Sequence, residues 1–348
     1  MRGVVLPGER RVEVREFPDP RPGPDDAIVQ IRASGICGSD LRPYRAPAAS
    51  RPEPLPISGH EPCGVVVEVG PNVPPQLGRP GDRVMVHHYS GCGVCKHCRV
   101  GYTQMCLVRH EVYGFSAHGG NAPYLRVPAS TLVRLPDELS FAEGAAIACG
   151  TGTAYMALRR LGASGRDTLA IYGQGPVGLS ATLLGRAMGA RILAIDVSAE
   201  RLALARELGA DMTIDASAQD PIAAVRELTH GEGAEAALDC TGNATARAQA
   251  VKCAAYWGRV CWVGEGGTVA LEPSPDVIHK QLTIYGSWTF STVGLEECAR
   301  FVADRPVELA RLITHRFRLD QAEEAFRFFD QGQSGKCVFV VDAAAPAG

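Results

Sequence analysis

The stretch DTLAIYGQGPVG at residues 167–178 decides the fold. Its first half, DTLAIYG (167–173), is a short apolar run with the composition of a buried strand. GPVGLSATLLGRAMGA (175–190) then takes on a helical pattern. Gly173-Gln174-Gly175-Pro176-Val177-Gly178 joins the two as GxGxxG, a weak signal alone but a strong one between a strand and a helix. Gly173 permits the tight turn, Gly175 lets backbone approach a pyrophosphate, and Gly178 lets helix and strand pack closely. The helix N-terminus then faces the phosphates. RILAID (191–196) is the next strand, and Asp196 ends it 18 residues after Gly178. A carboxylate there accepts hydrogen bonds from the adenosine ribose and repels a 2′-phosphate, so NAD(H) is expected over NADP(H). A glycine-rich turn in an α/β domain that binds nothing is the plainer alternative, and the strand–turn–helix context weighs against it.

Outward from this turn the alternation continues. AERLALARELGA (199–210) is helical, MTID (212–215) a strand, 221–229 a helix, and AALDCTG (236–242) a strand. A helix at 244–256 and the strands RVCWVG (259–264) and LTIYGSW (282–288) follow. Five or six strands with intervening helices make a doubly wound parallel sheet. Upstream, residues 1 to about 150 are β-rich: AIVQIRA (27–33), GVVVEVG (64–70), DRVMVHH (82–88) and YLRVP (124–128) alternate between Gly and Pro clusters. After about 288 come helices at 294–304 and 320–331 and a last strand, CVFVVD (337–342), with no helix behind it. That strand is expected to return to the first domain.

A chain of 348 residues is too long for one ordinary core, so two domains are the default. The net charge of -3 gives no reason to expect nucleic acid or an anionic membrane surface. No run of 18 apolar residues is present, and the N-terminus turns charged within a few residues. Twelve cysteines in such a chain point to a reducing compartment, and the cytoplasm is the expected location.

Four of those cysteines, Cys92, Cys95, Cys98 and Cys106, are separated by two, two and seven residues in GCGVCKHCRVGYTQMC. One tetrahedral Zn²⁺ needs four thiolates about 2.3 Å from the metal, and loops of this length can supply them. Two disulfides or four unrelated buried thiols fit the regular spacing less well. Four sulfurs leave no open coordination position, so this site is structural. The irregular segment 91–123 around it lacks regular ladders and needs a metal in place of a core.

Cys37 in GICGSD (35–40), His60 in GHEPCG (59–64) and Cys149 in ACGTGT (148–153) lie at glycine-rich turns, and spacing alone does not join them. Together, however, GICGSD, GHEPCGVVVEVG, GDRVMV, the four-cysteine segment and GQGPVG occur in the order found in zinc-dependent medium-chain alcohol and polyol dehydrogenases. The chain resembles that family over essentially its whole length. The resemblance implies a GroES-like catalytic domain at 1–150 that includes the structural-zinc lobe 91–123. It further implies a Rossmann NAD-binding domain at 151–288, a C-terminal segment 289–348 returning to the first domain, and two zinc ions per chain. By the same resemblance Cys37, His60 and Cys149 match the catalytic-zinc ligands, and Glu61 a carboxylate that approaches the metal. Asp40 matches the partner that orients the zinc-bound imidazole. Thr153 and Val177 match residues that hold or back the nicotinamide, Arg201 the basic residue near the adenosine ribose, and Lys336 the one that reaches the pyrophosphate.

The implied reaction is alcohol + NAD⁺ ⇌ carbonyl + NADH + H⁺, with Ser39 matching the hydroxyl that first accepts the proton. Many relatives pass the proton on to a histidine where this chain has Arg42, and arginine cannot act as that base. The relay therefore ends at solvent or at another group, His88 being one candidate for a proton carrier or pocket wall. Gly38 stands where some members have a pyrophosphate-binding arginine, and Trp288 where a pocket residue falls near the nicotinamide. Cys149 rather than glutamate as third ligand tilts the expectation toward simple alcohols, with polyol or amino-alcohol oxidation as the alternative. A non-catalytic zinc- and NAD-binding redox sensor is the reading from another class. The family implies a homodimer or homotetramer, and LTIYGSW is the apolar edge strand through which subunits could pair.

Overall fold

The computed structural model describes residues 1–341. A hairpin opens the chain: β1 (Arg2–Gly8) and β2 (Arg11–Glu16) turn through Glu9 and Arg10, both in the left-handed region at φ 52° and 57°. Neither residue type advertises such a turn, so this hairpin is silent in the sequence.

The long strand β3 (Asp26–Ile36) organises the first domain. It is followed by the short helix α1 (Leu41–Arg45), then β4 (Pro62–Val69) and β5 (Arg83–Val86). β6 (Tyr89–Gly91) and β7 (His110–Val112) pair as a two-stranded ladder at the base of the four-cysteine lobe, so the lobe is not wholly without regular structure as expected. β8 (Tyr124–Pro128), β9 (Leu132–Arg134) and α2 (Phe141–Ala146) complete the domain. Ser140 caps α2 by accepting the Glu143 amide at 3.3 Å, and Glu143 returns a bond to the Ser140 amide at 2.9 Å. A π-helical turn, Ile147–Thr151, then runs directly into α3 (Gly152–Leu161).

The second domain begins with β10 (Thr168–Tyr172), which is buried on both faces as a central parallel strand requires. It alternates onward through α4 (Pro176–Ala187), β11 (Arg191–Asp196), α5 (Ala199–Glu207), β12 (Met212–Asp215), α6 (Pro221–Leu228), β13 (Ala234–Asp239), α7 (Ala244–Lys252), β14 (Ala254–Trp262) and β15 (Thr283–Gly286). The six strands form one parallel sheet in the order β12-β11-β10-β13-β14-β15. Strand order reverses between β10 and β13, which opens a ligand crevice at their carboxyl ends. α7 ends at Lys252, four residues earlier than the sequence pattern suggests. The reason is that Ala254 pairs with Ala234, so the chain has already become strand. Trp257, at φ 56°, interrupts β14 and shifts its register against β13.

α8 (Thr292–Ala303), β16 (Ile313–Phe317), α9 (Ala322–Asp330) and β17 (Lys336–Val340) close the chain. Asp342, the last residue of the expected final strand, lies outside the described residues. β17 runs antiparallel to β3, pairing Cys337 with Ile36, and so joins the first sheet, β16-β17-β3-β4-β5-β9, with β8 also against β3. A strand from the far end of the chain thus lies beside the strand that leads to Cys37. None of the helices among the described residues is long and apolar enough to cross a membrane.

Candidate functional site

β3 delivers Cys37 at its end, the loop before β4 delivers His60 and Glu61, and the π-helical turn delivers Cys149. One donor atom from each of these four residues lies within 4.8 Å of the others, and all four residues are buried. The Cys37 and Cys149 sulfurs are 4.0 Å apart. Two thiolates at 2.3 Å from a tetrahedral ion would be about 3.8 Å apart, so the pair fits zinc, and two sulfurs with one imidazole leave a position open. Asp40 fixes the imidazole: its Oδ1 lies 2.9 Å from His60 Nδ1, and its Oδ2 accepts the Cys37 amide at 2.9 Å. This leaves Nε2 of His60 for the metal.

Burial and mutual contact shift the protonation of these groups. Burial opposes charge on His60, but Asp40 and Cys37 outweigh it and hold the imidazole well above its ordinary value. Cys37 is drawn well below the usual thiol range by a hydrogen bond from Cys149 and by His60. Burial pushes the Glu61 carboxyl up to about 7 against the pull of Lys336. Ser39 Oγ lies 3.3 Å from His60 Nε2.

The four lobe cysteines form the second cluster, with their donor sulfurs also within 4.8 Å of one another. Sulfur–sulfur distances of 3.5 Å (Cys95–Cys98) and 4.0 Å (Cys92–Cys98, Cys95–Cys106) bracket the tetrahedral edge of about 3.8 Å. Backbone amides of Cys92, Val108 and Arg109 donate to the Cys106 sulfur. Although desolvation opposes it, these donors pull the Cys106 thiol down to about 6. Both donor sets fit zinc.

The cofactor side is fastened to the metal side. Thr151, in the turn that carries Cys149, bonds Ser180 of α4 through their hydroxyls at 2.9 Å. α4 opens at the glycine turn. Gly173 has φ 87°, and a Cβ on Gly178 would collide with the Gly173 carbonyl, the close helix–strand approach that the third glycine serves. Asp196 accepts the amides of Val197 (2.8 Å), Ser198 (3.0 Å) and Gln174, tying the end of β11 to the same turn. Thr153 is buried one turn beyond Cys149, and Val177 stands opposite Gly150. Arg201 lies beside Gly332, and its Nε has no partner. Lys336 differs from the expectation. It is 1% exposed, pairs with Glu61 and donates to the Ile36 carbonyl at 3.0 Å, so its ammonium is engaged beneath the metal cluster rather than directed at the phosphate turn.

A row of rings leads away from the metal ligands. The centroid separations are 5.3 Å from His60 to His88, 4.5 Å from His88 to Tyr89, and 5.7 Å from Tyr89 to Trp288. His88 is buried with Nδ1 3.0 Å from the Ala148 carbonyl, and burial holds its pKa well below the ordinary value. Burial there favours the neutral ring, which weighs against its carrying a proton at neutral pH. Arg42 is exposed on α1. Beyond Trp288 opens a cavity of about 350 Å³, lined among others by Met105, Met156, Trp262, Glu265 and Thr289. Sequence reading missed Tyr89, and it missed His87 and Gln104, which both bond the Phe290 carbonyl at 3.0 Å and so join the first domain to the segment after β15. Only HHY at 87–89 hinted at this cluster.

Comparison with known proteins identifies the family. Residues 23–137 match the model of the alcohol dehydrogenase GroES-like domain, and residues 176–304 that of the zinc-binding dehydrogenases. An Escherichia coli K12 protein described as an uncharacterized zinc-type alcohol dehydrogenase-like protein, YphC, is 42% identical, covering 97% of this chain and 98% of its own. L-threonine 3-dehydrogenase from Anaeromyxobacter sp. is 33% identical, covering 96% and 98%. The alcohol dehydrogenase TADH from Thermus sp. ATN1 superposes with a TM-score of 0.90 at 32% identity, covering 98% of this chain and all of that one. With two donor sets that fit zinc and a glycine turn built for a dinucleotide, the chain belongs to the zinc-dependent medium-chain dehydrogenase family of oxidoreductases.

Proposed function

We propose that this oxidoreductase is an NAD(H)-dependent alcohol dehydrogenase that interconverts a primary or secondary alcohol and its aldehyde or ketone. One observation carries the reading: the turn that bears Cys149 is hydrogen-bonded to the helix that opens at the glycine turn. With Thr153 and Val177 holding the nicotinamide, that bond would keep the cofactor and the metal ligands on one connected unit. When bound, zinc at Cys37, His60 and Cys149 supplies Lewis-acid polarisation of the substrate oxygen, and NAD supplies the hydride acceptor.

The chain's own groups do the rest. Asp40 holds the His60 ring in register, and the buried His88 and Tyr89 rings exclude water from the reacting atoms. Ser39, whose hydroxyl lies beside the His60 ring, would accept the alcohol proton and release it toward solvent, because Arg42 cannot serve as a base. A Ser39→Ala variant is expected to lose about 10²-fold in kcat for alcohol oxidation at pH 7, within the usual range for general acid–base groups. Full turnover by that variant would remove Ser39 from the path. Asp196 favours NAD(H) by repelling a 2′-phosphate. The protein works in the cytoplasm as a homodimer or homotetramer, with the β15 edge strand as the pairing surface.

A panel of primary, secondary, cyclic and polyhydroxylated alcohols and 2-amino-3-hydroxy acids, each with NAD⁺ and NADP⁺, tests this reading alongside a zinc count. Two zincs per chain and NADH formation from simple alcohols support it. Turnover confined to polyols or amino alcohols moves the substrate class, and the L-threonine dehydrogenase relative makes the latter the leading rival. One zinc and cofactor binding without turnover on any alcohol would make the protein a sensor.

A further inference from the structure

A buried ion pair lies at the carboxyl ends of β13 and β14. Asp239, at the end of β13, is fully buried, and its Oδ2 accepts Nε of Arg247 at 3.1 Å. Arg247 stands on α7 and is itself 8% exposed. Its two terminal nitrogens donate to the carbonyls of Gly264 and Gly266, the latter at 2.8 Å, and its guanidinium lies over the Trp262 ring at 5.7 Å. Asp239 Oδ1 takes the Thr241 amide at 2.9 Å and the Thr241 hydroxyl at 2.6 Å. The Asp239 carbonyl accepts the amides of Val263 and Gly264 at 2.9 and 3.0 Å.

These bonds fuse two turns. A Cβ on Gly264 would collide with the Gly242 amide, and one on Gly242 would collide with the Glu265 carbonyl, so the turns meet backbone to backbone. On the other flank, Thr241 packs against Gly173, the first glycine of the phosphate turn. The platform therefore runs unbroken from the phosphate turn to Gly264 and Glu265. Those two residues line the same cavity as Trp288, whose ring meets Tyr89 beside His88 and the metal ligand His60. This is the metal side of the crevice, away from Asp196 and β11.

We propose that Arg247 is a positioning residue for the nicotinamide half of the dinucleotide: clamped on Asp239, it fixes the Val263–Gly267 turn as the floor on which that half rests. The assignment rests on the dinucleotide-dependent reading above. The planar fork of Arg247 meets one carboxylate and two carbonyls with three separate nitrogens, a span that a single ammonium does not cover. Lysine, a point charge on a flexible stem, keeps the pairing with Asp239 but cannot span both carbonyls. The adenosine half, held from the end of β11, does not depend on the clamp.

The test compares two ligands on Arg247→Lys and Arg247→Met in the zinc-loaded full chain. NADH carries both halves of the cofactor, whereas ADP-ribose lacks the nicotinamide. For Arg247→Lys, NADH affinity by fluorescence titration is expected to fall about tenfold or more while ADP-ribose affinity stays within about twofold. Arg247→Met should show the larger loss for NADH. Because removing one partner of a buried pair can unfold a domain, the lysine variant decides the matter if the methionine variant does not fold. Equal weakening of both ligands would assign Arg247 a merely structural part, and unchanged NADH affinity would remove it altogether; either result overturns the inference. A wild-type protein that binds neither ligand would instead overturn the dinucleotide reading and the clamp with it.

Discussion

Replacing Cys149 with serine is expected to lower kcat/KM for alcohol oxidation by at least about 10³-fold, or about 4 kcal/mol of transition-state stabilisation. The bound zinc should fall from two to one per chain. A serine hydroxyl stays protonated at neutral pH, so the cluster loses one of its two anionic donors and the balance that neutralises a divalent ion. The cost falls on the chemistry rather than on the fold. Cys149 is buried in a turn already fixed by α2, α3 and the Thr151–Ser180 bond, and serine nearly matches its volume. Melting should therefore move little. A Cys149→Ser protein that keeps two zincs and stays within tenfold of wild-type turnover would show that the third ligand lies elsewhere, with Glu61 as the nearest candidate.

Cys106→Ser should act the other way, on stability first. The lobe has almost no core of its own: Val94, Val100, Leu107 and Val108 are between 60% and 76% exposed, and its regular structure is the short β6–β7 ladder with two single 3₁₀ turns, Cys98–Val100 and Thr103–Met105. Metal binding takes the place of hydrophobic burial there. Structural zinc contributes about 10–16 kcal/mol in isolated zinc-binding peptides at neutral pH, against a total stability of about 5–15 kcal/mol for a typical domain. Even a third of that contribution would lower the melting temperature by about 10 °C. Limited proteolysis should then cut within residues 92–109, with zinc falling to one per chain and the Cys37 cluster still loaded. The lobe also holds Gln104 against the Phe290 carbonyl, so activity should decline as the lobe loosens. A variant that melts with the wild type and resists protease would mean that the lobe stands without its metal.

The two mutations probe clusters of very different legibility. Cys92, Cys95, Cys98 and Cys106 are spaced so closely that chain length alone brings them round one ion, and a reader of the sequence needs no fold to join them. Cys37, His60 and Cys149 are spread over 113 residues. Only β3, the loop before β4 and the π-helical turn after α2 bring them together, and the sequence joined them solely through likeness to a family. The glycine turn and Asp196 were readable because a strand, a tight turn and a helix must follow one another locally. Likeness to the family places Lys336 at the phosphates, whereas its engagement with Glu61 depends on β17 returning to β3.

The Glu9–Arg10 turn and the early end of α7 were hidden for a related reason. A left-handed turn built from ordinary residues, or a helix that stops because its next residue finds a strand partner, leaves no local mark. Arg247 is the extreme case, since nothing in its surroundings on α7 distinguishes it from a solvated arginine. What the sequence by itself determined were the features set by short-range geometry: the order of strands and helices, the phosphate turn and the four-sulfur lobe. Tertiary structure alone decided which distant donors converge, which charges are buried together and where the two domains are fastened. Those depend on contacts across the sheets, and burial without water makes each such contact strong only where its partner is in place.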